Sequence, residues 1–248
     1  MNAILENYKG YFCRPNSSDK NMVKECLKNY KDFNIDGNSI VLDFGGNIGA
    51  FGKMALVAGC KHLHIFEPEP SNLEMIEMNL KDFSDRATIH KTAVSTSNEP
   101  ILTFYQSGSA NKNCSGTVSP FSKRSMATRK IRCDVPNQNI NSVLNHFRPT
   151  HLKIDIEGSE IEWLRENQGE VPDSVLEFSL EVHKSGDFFQ EFDSKWFPKI
   201  LEKFDLVYIH PNSSGFKLEE NIVLPNMGIN SSVVLWGIDM IFRRKSVQ

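Results

Sequence analysis

At 248 residues the chain can bury one full α/β core and needs no second domain. A net charge of −3 and a pI near 6.2, with 40% hydrophobic and 24% charged residues, belong to an ordinary globular protein and argue against a nucleic-acid-coating or a polybasic membrane protein. The five cysteines, Cys13, Cys26, Cys60, Cys114 and Cys133, are odd in number, scattered and without a C-x-x-C pair, which speaks against a disulfide framework or zinc site and for a reducing, cytoplasmic setting.

Met1 to Gly10 holds no apolar run long enough for a signal peptide, and no later stretch is long enough for a membrane span. The sequons at Asn16, Asn113, Asn212 and Asn230 are therefore read as chance. Residues 1–38 read as an N-terminal extension, with a helix over Asn21–Lys31 after a Ser-Ser-Asp capping candidate. Next, Ile40, Val41 and Leu42 form a short continuous apolar run, the pattern of a strand covered on both faces, and Asp43 ends it. Gly45, Gly46 and Gly49 predict a tight turn that a ligand can approach closely, and Ala50–Ala58 a helix stopped by Gly59.

A dinucleotide loop needs glycines at the first, third and sixth positions of G-x-G-x-x-G, and no register here supplies them. Asp43, Gly45, Asn47 and Gly49 instead fit D-x-G-x-N-x-G, with Asn47 the non-glycine residue best suited to a left-handed turn. This spacing resembles the first motif of class I S-adenosylmethionine methyltransferases.

His62–Glu67 predicts the second strand. Its two histidines alternate without a third ligand nearby and read as strand-face residues rather than a metal pair. Glu67 ends that strand where an acid meets a ribose diol in Rossmann-like folds. Pro68, Pro70 and Ser71 serve the start of the helix Ser71–Lys81, which leaves Glu67 available for the diol. A third strand is expected over Ala87–Val94, its end at Ala93-Val94 facing an adenine. A β-ribbon follows, Pro100–Gln106 out and Lys130–Val135 back, around a loop over 106–130. That loop region is rich in Lys and Arg and free of acids, as a substrate lid or a solvated loop would be.

After a helix over Ile140–Phe147, Thr150 to Glu160 predicts a strand that ends in Asp155 and Glu157, then Gly158 and a helix carrying Ile161, Trp163 and Leu164. Paired acids at a buried strand end need a cation, hydrogen-bond donors or a reacting group. Open parallel sheets bind ligands at the carboxyl ends of their strands, so Asp43, Glu67, Asp155 and Glu157 should converge.

Asp-Phe-Gly-Gly-Asn-Ile-Gly, Phe-Glu-Pro-Glu-Pro-Ser-Asn and Leu-Lys-Ile-Asp-Ile-Glu-Gly-Ser-Glu, in this order over Asn38–His183, resemble the FkbM family of methyltransferases. The resemblance implies a Rossmann-like class I methyltransferase fold: about seven strands in a mostly parallel sheet, helices on both faces, an inserted β-ribbon and loop, and a methyltransferase domain over 39–248. It also implies S-adenosylmethionine as cofactor, S-adenosylhomocysteine as product, and O-methylation of a hydroxyl on a sugar, glycan or small metabolite. By motif position Asp43, Gly45, Asn47 and Gly49 would hold the methionine end and Glu67 the ribose, with Gly46 and Pro68 also expected in the cofactor site. Ala93 and Val94 would meet the adenine, and Asp155 the transferred methyl.

A hydroxyl is a weak nucleophile, so a base within hydrogen-bond reach helps. Asp155 is the first choice, Glu157 an equal one, and Glu181 and His183 at the end of the next strand, Ser174–Val182, can be base or substrate ligand. The acids could bind a divalent metal, but no histidine cluster accompanies them, and none is indicated. Lys195–Phe204 reads as a helix, Leu206–His210 as a strand and Ser232–Phe242 as a terminal strand, with Phe188, Phe189, Trp196 and Phe197 as core. A non-catalytic binding module on the same fold and a NAD or nucleotide-sugar Rossmann enzyme are the alternatives. Neither a nucleic-acid partner nor an oligomeric state is indicated.

Overall fold

The computed structural model describes residues 5–106, 116–118, 131–183, 188–211, 223–224, 226–227, 229–230 and 237–246. Fifteen strands are described. They are β1 Glu6–Tyr8, β2 Tyr11–Cys13, β3 Ile40–Phe44, β4 His62–Phe66, β5 Ala87–His90, β6 Ala93–Ser95, β7 Ile101–Gln106, β8 Gly116–Thr117, β9 Ile131–Asn139, β10 His151–Ile154, β11 Glu177–His183, β12 Phe204–Pro211, β13 Val223–Leu224, β14 Ile229–Asn230 and β15 Gly237–Arg244. The helices are α1 Asp19–Asn29, α2 Ala50–Val57, α3 Pro70–Leu80, α4 Ile140–Phe147, α5 Ser159–Glu166, α6 Phe188–Glu191 and α7 Phe197–Lys203.

Seven strands form the central sheet in the order β12-β15-β11-β10-β3-β4-β5. From β11 to β5 all pairs are parallel, while β15 runs antiparallel between β11 and β12. The antiparallel terminal strand is the one expected of a class I methyltransferase fold; residues 232–236 of its expected range lie outside the described residues. From β3 the chain crosses to β4 on one side and returns to β10 on the other, so the order reverses between β3 and β10. Ligands of open parallel sheets bind at that reversal.

The apolar run of β3 explains its central place. Val41 belongs to a core cluster with Phe51, Leu63 and Ile65, whereas Leu42 and Phe44 belong to a second with Leu152, Trp163 and Phe178. Successive side chains alternate across a strand, so both faces of the sheet are covered. Residues 1–38, read from the sequence as an extension, supply Tyr11, Cys13, Val23, Cys26, Tyr30 and Phe33 to the first cluster. Tyr30, Phe33 and Phe51 pack edge to face with ring centroids 5.1 to 5.9 Å apart.

The expected third strand is two. β5 ends at His90, Thr92 N donates back to His90 O over 2.9 Å, and β6 joins another sheet in the order β6-β9-β7-β8. An apolar pattern records burial and not the partner strand, which is why the break is silent in the sequence. β7 and β9 form the expected ribbon, Ile101 opposite Pro136, and β9 runs on to Asn139, which caps α4 by accepting from Ser142 N over 3.1 Å. Of the loop over 106–130, 107–115 and 119–130 lie outside the described residues, as do Asn113, Cys114 and Asn212. The aromatic residues Phe188, Phe189 and Phe197 are buried core, as expected. The helix expected over Lys195–Phe204 begins earlier, through α6 and a π-helical turn over Phe192–Trp196.

Candidate active site

The turn after β3 is built by backbone geometry. Gly45 takes φ +81°, and a Cβ there would stand 1.8 Å from the carbonyl oxygen of Asp155, so only glycine lets β3 and β10 close at this point. Asn47 takes φ +50°, the left-handed value expected of it, and its side-chain oxygen accepts from Ile48 N over 2.9 Å. Gly49, at φ +79°, opens α2. The N–H groups of Gly45 and Gly46 donate to Phe66 O, that of Gly49 to Gly46 O and that of Asn47 to Glu67 Oε2 over 2.8 Å. Each N–H of this loop from 45 to 49 thus has a protein partner. A pyrophosphate cradle needs such groups turned toward the ligand.

Glu67 is 5% exposed. Its carboxylate accepts from Asn47 N, from Glu69 N over 3.0 Å and from Asn72 Nδ2 over 3.4 Å. Burial pushes it up to about 8 despite those donors. The helix that follows is capped by Glu69, which accepts from Asn72 N over 2.8 Å, with Pro70 in the first turn. The sequence had assigned that start to Ser71 and the prolines; either way Glu67 is not the cap.

A cleft opens beside Glu67, walled by Phe66, Pro68, Ala93, Val94 and Ile156. A second cavity lies against it, and Gly45, Asn47, Asp155 and Glu157 line both. Gly46 lines the second cavity only, and Asp43 and Gly49 line neither. Asp43 is wholly buried instead, directly across the β3–β10 register from Lys153, whose Nζ stands 3.4 Å from Asp43 Oδ1. Burial lifts Asp43 to about 6 even with Lys153 beside it. The same ammonium donates to Gly45 O and to Asp155 Oδ2, each over 3.2 Å. Burial opposes charge on Asp155, yet Lys153 and then His183 hold its carboxyl below the ordinary value.

At the end of β11, Glu181 and His183 share a face and meet Asp155. His183 Nε2 lies 3.7 Å from Glu181 Oε1, 3.7 Å from Glu157 Oε2 and 4.0 Å from Asp155 Oδ1. The imidazole is fixed from behind by Glu160, a wholly buried carboxylate. Glu160 Oε1 lies 2.9 Å from His183 Nδ1 and accepts from His183 N over 3.1 Å, and its Oε2 accepts from Gly158 N over 2.8 Å. Burial lowers the affinity of His183 for its proton, but Glu181 and Glu160 outweigh it and hold the imidazolium well above the ordinary range. Burial, with Asp155 and Asp239 nearby, pushes Glu181 well above its own. Glu157 and Gly158 carry φ of +55° and +111°, a left-handed pair at the turn into α5. Such backbone at a non-glycine residue is a feature of constrained sites.

Residues 43–218 match the family described as "Methyltransferase FkbM domain". The chain belongs to the FkbM methyltransferase family. No curated protein matches it. Among solved structures it is similar to the methyltransferase FkbM from Methylobacillus flagellatus KT at 15% identity and a TM-score of 0.47, over 88% of this chain and 47% of that one. It is similar also to Trm5b from Pyrococcus abyssi at 10% identity and a TM-score of 0.51, over 98% of this chain and 56% of that one. The chain therefore spans about half the length of these proteins.

For an FkbM chain the cofactor implied is S-adenosylmethionine, and the cleft fits it. Glu67 keeps acceptor capacity on the cleft wall, because an ionised carboxylate has about four lone-pair sites. Phe66, Ala93 and Val94 offer an apolar slot for a base. Of the four acids expected to converge, Glu67, Asp155 and Glu157 line one cleft, while Asp43 is buried outside it; Glu181 and His183, expected as base or substrate ligand, stand beside Asp155 and Glu157. Sequence reasoning missed Lys153, Glu160, Asp239 and the residues Met22, Glu25 and Asn29 of α1, with Tyr30 just past its end, that wall the second cavity. Lys153 had a signal, being the one charge inside an apolar strand and two residues before Asp155, hence on its face. So had Glu160, one turn before Leu164 on the apolar stripe of α5. On β4, His62 Nε2 meets Thr88 Oγ1 at 2.9 Å and His64 Nδ1 meets His90 Nε2 at 3.2 Å, both across to β5. No described helix is long and apolar enough to cross a membrane.

Proposed function

We propose that the chain is an O-methyltransferase acting on a hydroxyl of a sugar, glycan or small metabolite. The observation that carries this reading is the common wall of the two cavities, where Asp155 and Glu157 face the Glu67 cleft on one side and a polar chamber on the other. S-adenosylmethionine, when bound, supplies a methyl group on a sulfonium, open to in-line displacement. In this reading the chain does the rest by alignment. Glu67 holds the ribose hydroxyls, and the carboxylates of the chamber accept hydrogen bonds from the acceptor's hydroxyls.

The chamber is lined by Glu25, Asp155, Glu157, Glu181 and Asp239 against Lys153 and His183, and it repels a phosphate or a nucleic-acid backbone. A neutral polyhydroxyl acceptor suits it better than the phosphorylated or acidic acceptors that a basic loop would favour. The base is a carboxylate. Lys153 weakens Asp155 as a proton acceptor by holding it ionised, and this favours Glu157 for that role.

The test is labelled-methyl transfer across glycan and small-hydroxyl libraries, with the product mass reporting the acceptor. With an acceptor in hand, Glu157→Gln should lower kcat by about 10²–10⁴-fold and leave S-adenosylhomocysteine affinity within about twofold by calorimetry. Full turnover in Glu157→Gln would remove Glu157 as base. Labelling of amines but of no hydroxyl would overturn O-methylation.

A further inference from the structure

The end of β11 gathers two kinds of metal ligand. Asp155, Glu181 and His183 each offer one ligand atom, and the three atoms lie within 4.8 Å of one another. Asp155 arrives from the turn after β10 and the other two from β11, its parallel neighbour, so two rigid strands fix the spacing. A first-row divalent ion bonds oxygen or nitrogen at about 2.0–2.2 Å, so opposed ligands stand up to about 4.3 Å apart. The separations from His183 Nε2 to Glu181 and Asp155, 3.7 and 4.0 Å, are therefore spans one ion can bridge.

A second observation is independent of those oxygens. Glu160, 0% exposed, sits on the far side of the imidazole and engages Nδ1, which turns Nε2 into the chamber. A buried carboxylate behind a histidine, fixing its tautomer and raising its basicity, is the usual support of a metal-bound imidazole. Burying a charge here is costly unless the contact has a use. Charge balance points the same way. Among the described residues five carboxylates face the chamber, and Lys153, one of two basic groups there, already touches Asp43 and Asp155.

We propose that Asp155, Glu181 and His183 form a divalent-cation site in the acidic chamber, with Glu160 as its positioning residue. Two oxygens and one nitrogen suit a hard or borderline ion such as Mn²⁺. The open side of the ion faces the chamber, where it can take two neighbouring hydroxyl oxygens of a polyol and make one of them more acidic. The site stands whether or not the chain transfers a methyl group, because it is tested by metal binding alone.

The experiment is titration of the full chain with Mn²⁺, followed by electron paramagnetic resonance of the free ion. One saturable site is expected. His183→Ala and Glu181→Gln should each weaken it at least tenfold, and Glu160→Gln by about 10–100-fold without altering any direct ligand. Circular dichroism and S-adenosylhomocysteine affinity report whether each variant is folded, and Glu181→Asp, which keeps a carboxylate, should retain part of the binding. Absence of saturable binding up to millimolar Mn²⁺ in the unaltered chain overturns the site. So does equal binding in folded His183→Ala and Glu181→Gln.

Discussion

Glu67 carries the most testable single charge in the molecule. Its carboxyl titrates near 8 when folded, against an ordinary 4.5, because burial disfavours the anion. A raised acid contributes stability that is full below about 4.5 and is lost as pH rises through 8. Ribose hydroxyls donate, so they need the ionised form. S-adenosylhomocysteine should therefore bind more tightly as pH rises from 6 to 9, by up to about tenfold per unit below the folded value. Calorimetry at several pH values checks this, with Glu67→Gln expected to bind weakly and with a flat profile. A flat profile in the unaltered chain would detach Glu67 from the cofactor.

The glycine loop and Glu67 were legible because their signals are local: turn residues at fixed spacing and an acid at a strand end. Lys153 and Glu160 act through partners far away in sequence. Lys153 reaches Asp43 only because β10 pairs with β3 in the register Lys153↔Asp43, and nothing in either segment states that register. The trio of Asp155, Glu181 and His183 likewise depends on β10 and β11 being neighbours. His183, at the end of its strand, is thereby surrounded by Asp155, Glu157, Glu160 and Glu181.

At the scale of elements, the segment before β3 gives up its meaning only in three dimensions. Arg14 joins β2 to α1 and α3. Its guanidinium meets both oxygens of Asp19, at 2.8 and 2.9 Å, and reaches Ser71 Oγ at 3.2 Å and Asn72 Oδ1 at 3.0 Å. The Asp19 side chain is only 2% exposed. Arg14→Ala would leave that carboxylate buried without its cation, and about 3–5 kcal/mol of stability should be lost. Asp19→Asn in the same chain should recover much of it, since the uncompensated charge is then gone. Urea denaturation of the two variants decides. A loss under about 1 kcal/mol in Arg14→Ala would mean that the pair is an ordinary surface bridge and that α1 is held by the core contacts of Val23 and Cys26 and the hydrogen bonds of Asn29. Of the loop over 106–130, expected as a lid or a solvated loop, 107–115 and 119–130 lie outside the described residues.

For the whole molecule, cofactor binding and folding stability are linked. The Glu67 cleft and the acidic chamber join elements from the middle of the central sheet, namely the loop after β3 and the ends of β4, β10 and β11, with α1 from outside the family match. A ligand that bridges them binds the folded chain and not the unfolded one, so it should stabilise the whole by about 2.7 kcal/mol at a hundred times its Kd. In a chain of this length each kcal/mol moves Tm by about 2–4 °C, which sets the expected rise with S-adenosylhomocysteine at about 5–11 °C. NAD at the same concentration should give no shift, because the loop N–H groups that a pyrophosphate would need are committed to Phe66 O, Glu67 and the loop itself. Gly45→Arg should remove the S-adenosylhomocysteine shift, since even a Cβ at that position meets the Asp155 carbonyl at 1.8 Å. Scanning fluorimetry reads all three. A shift with NAD and none with S-adenosylhomocysteine would reassign the cleft to a dinucleotide.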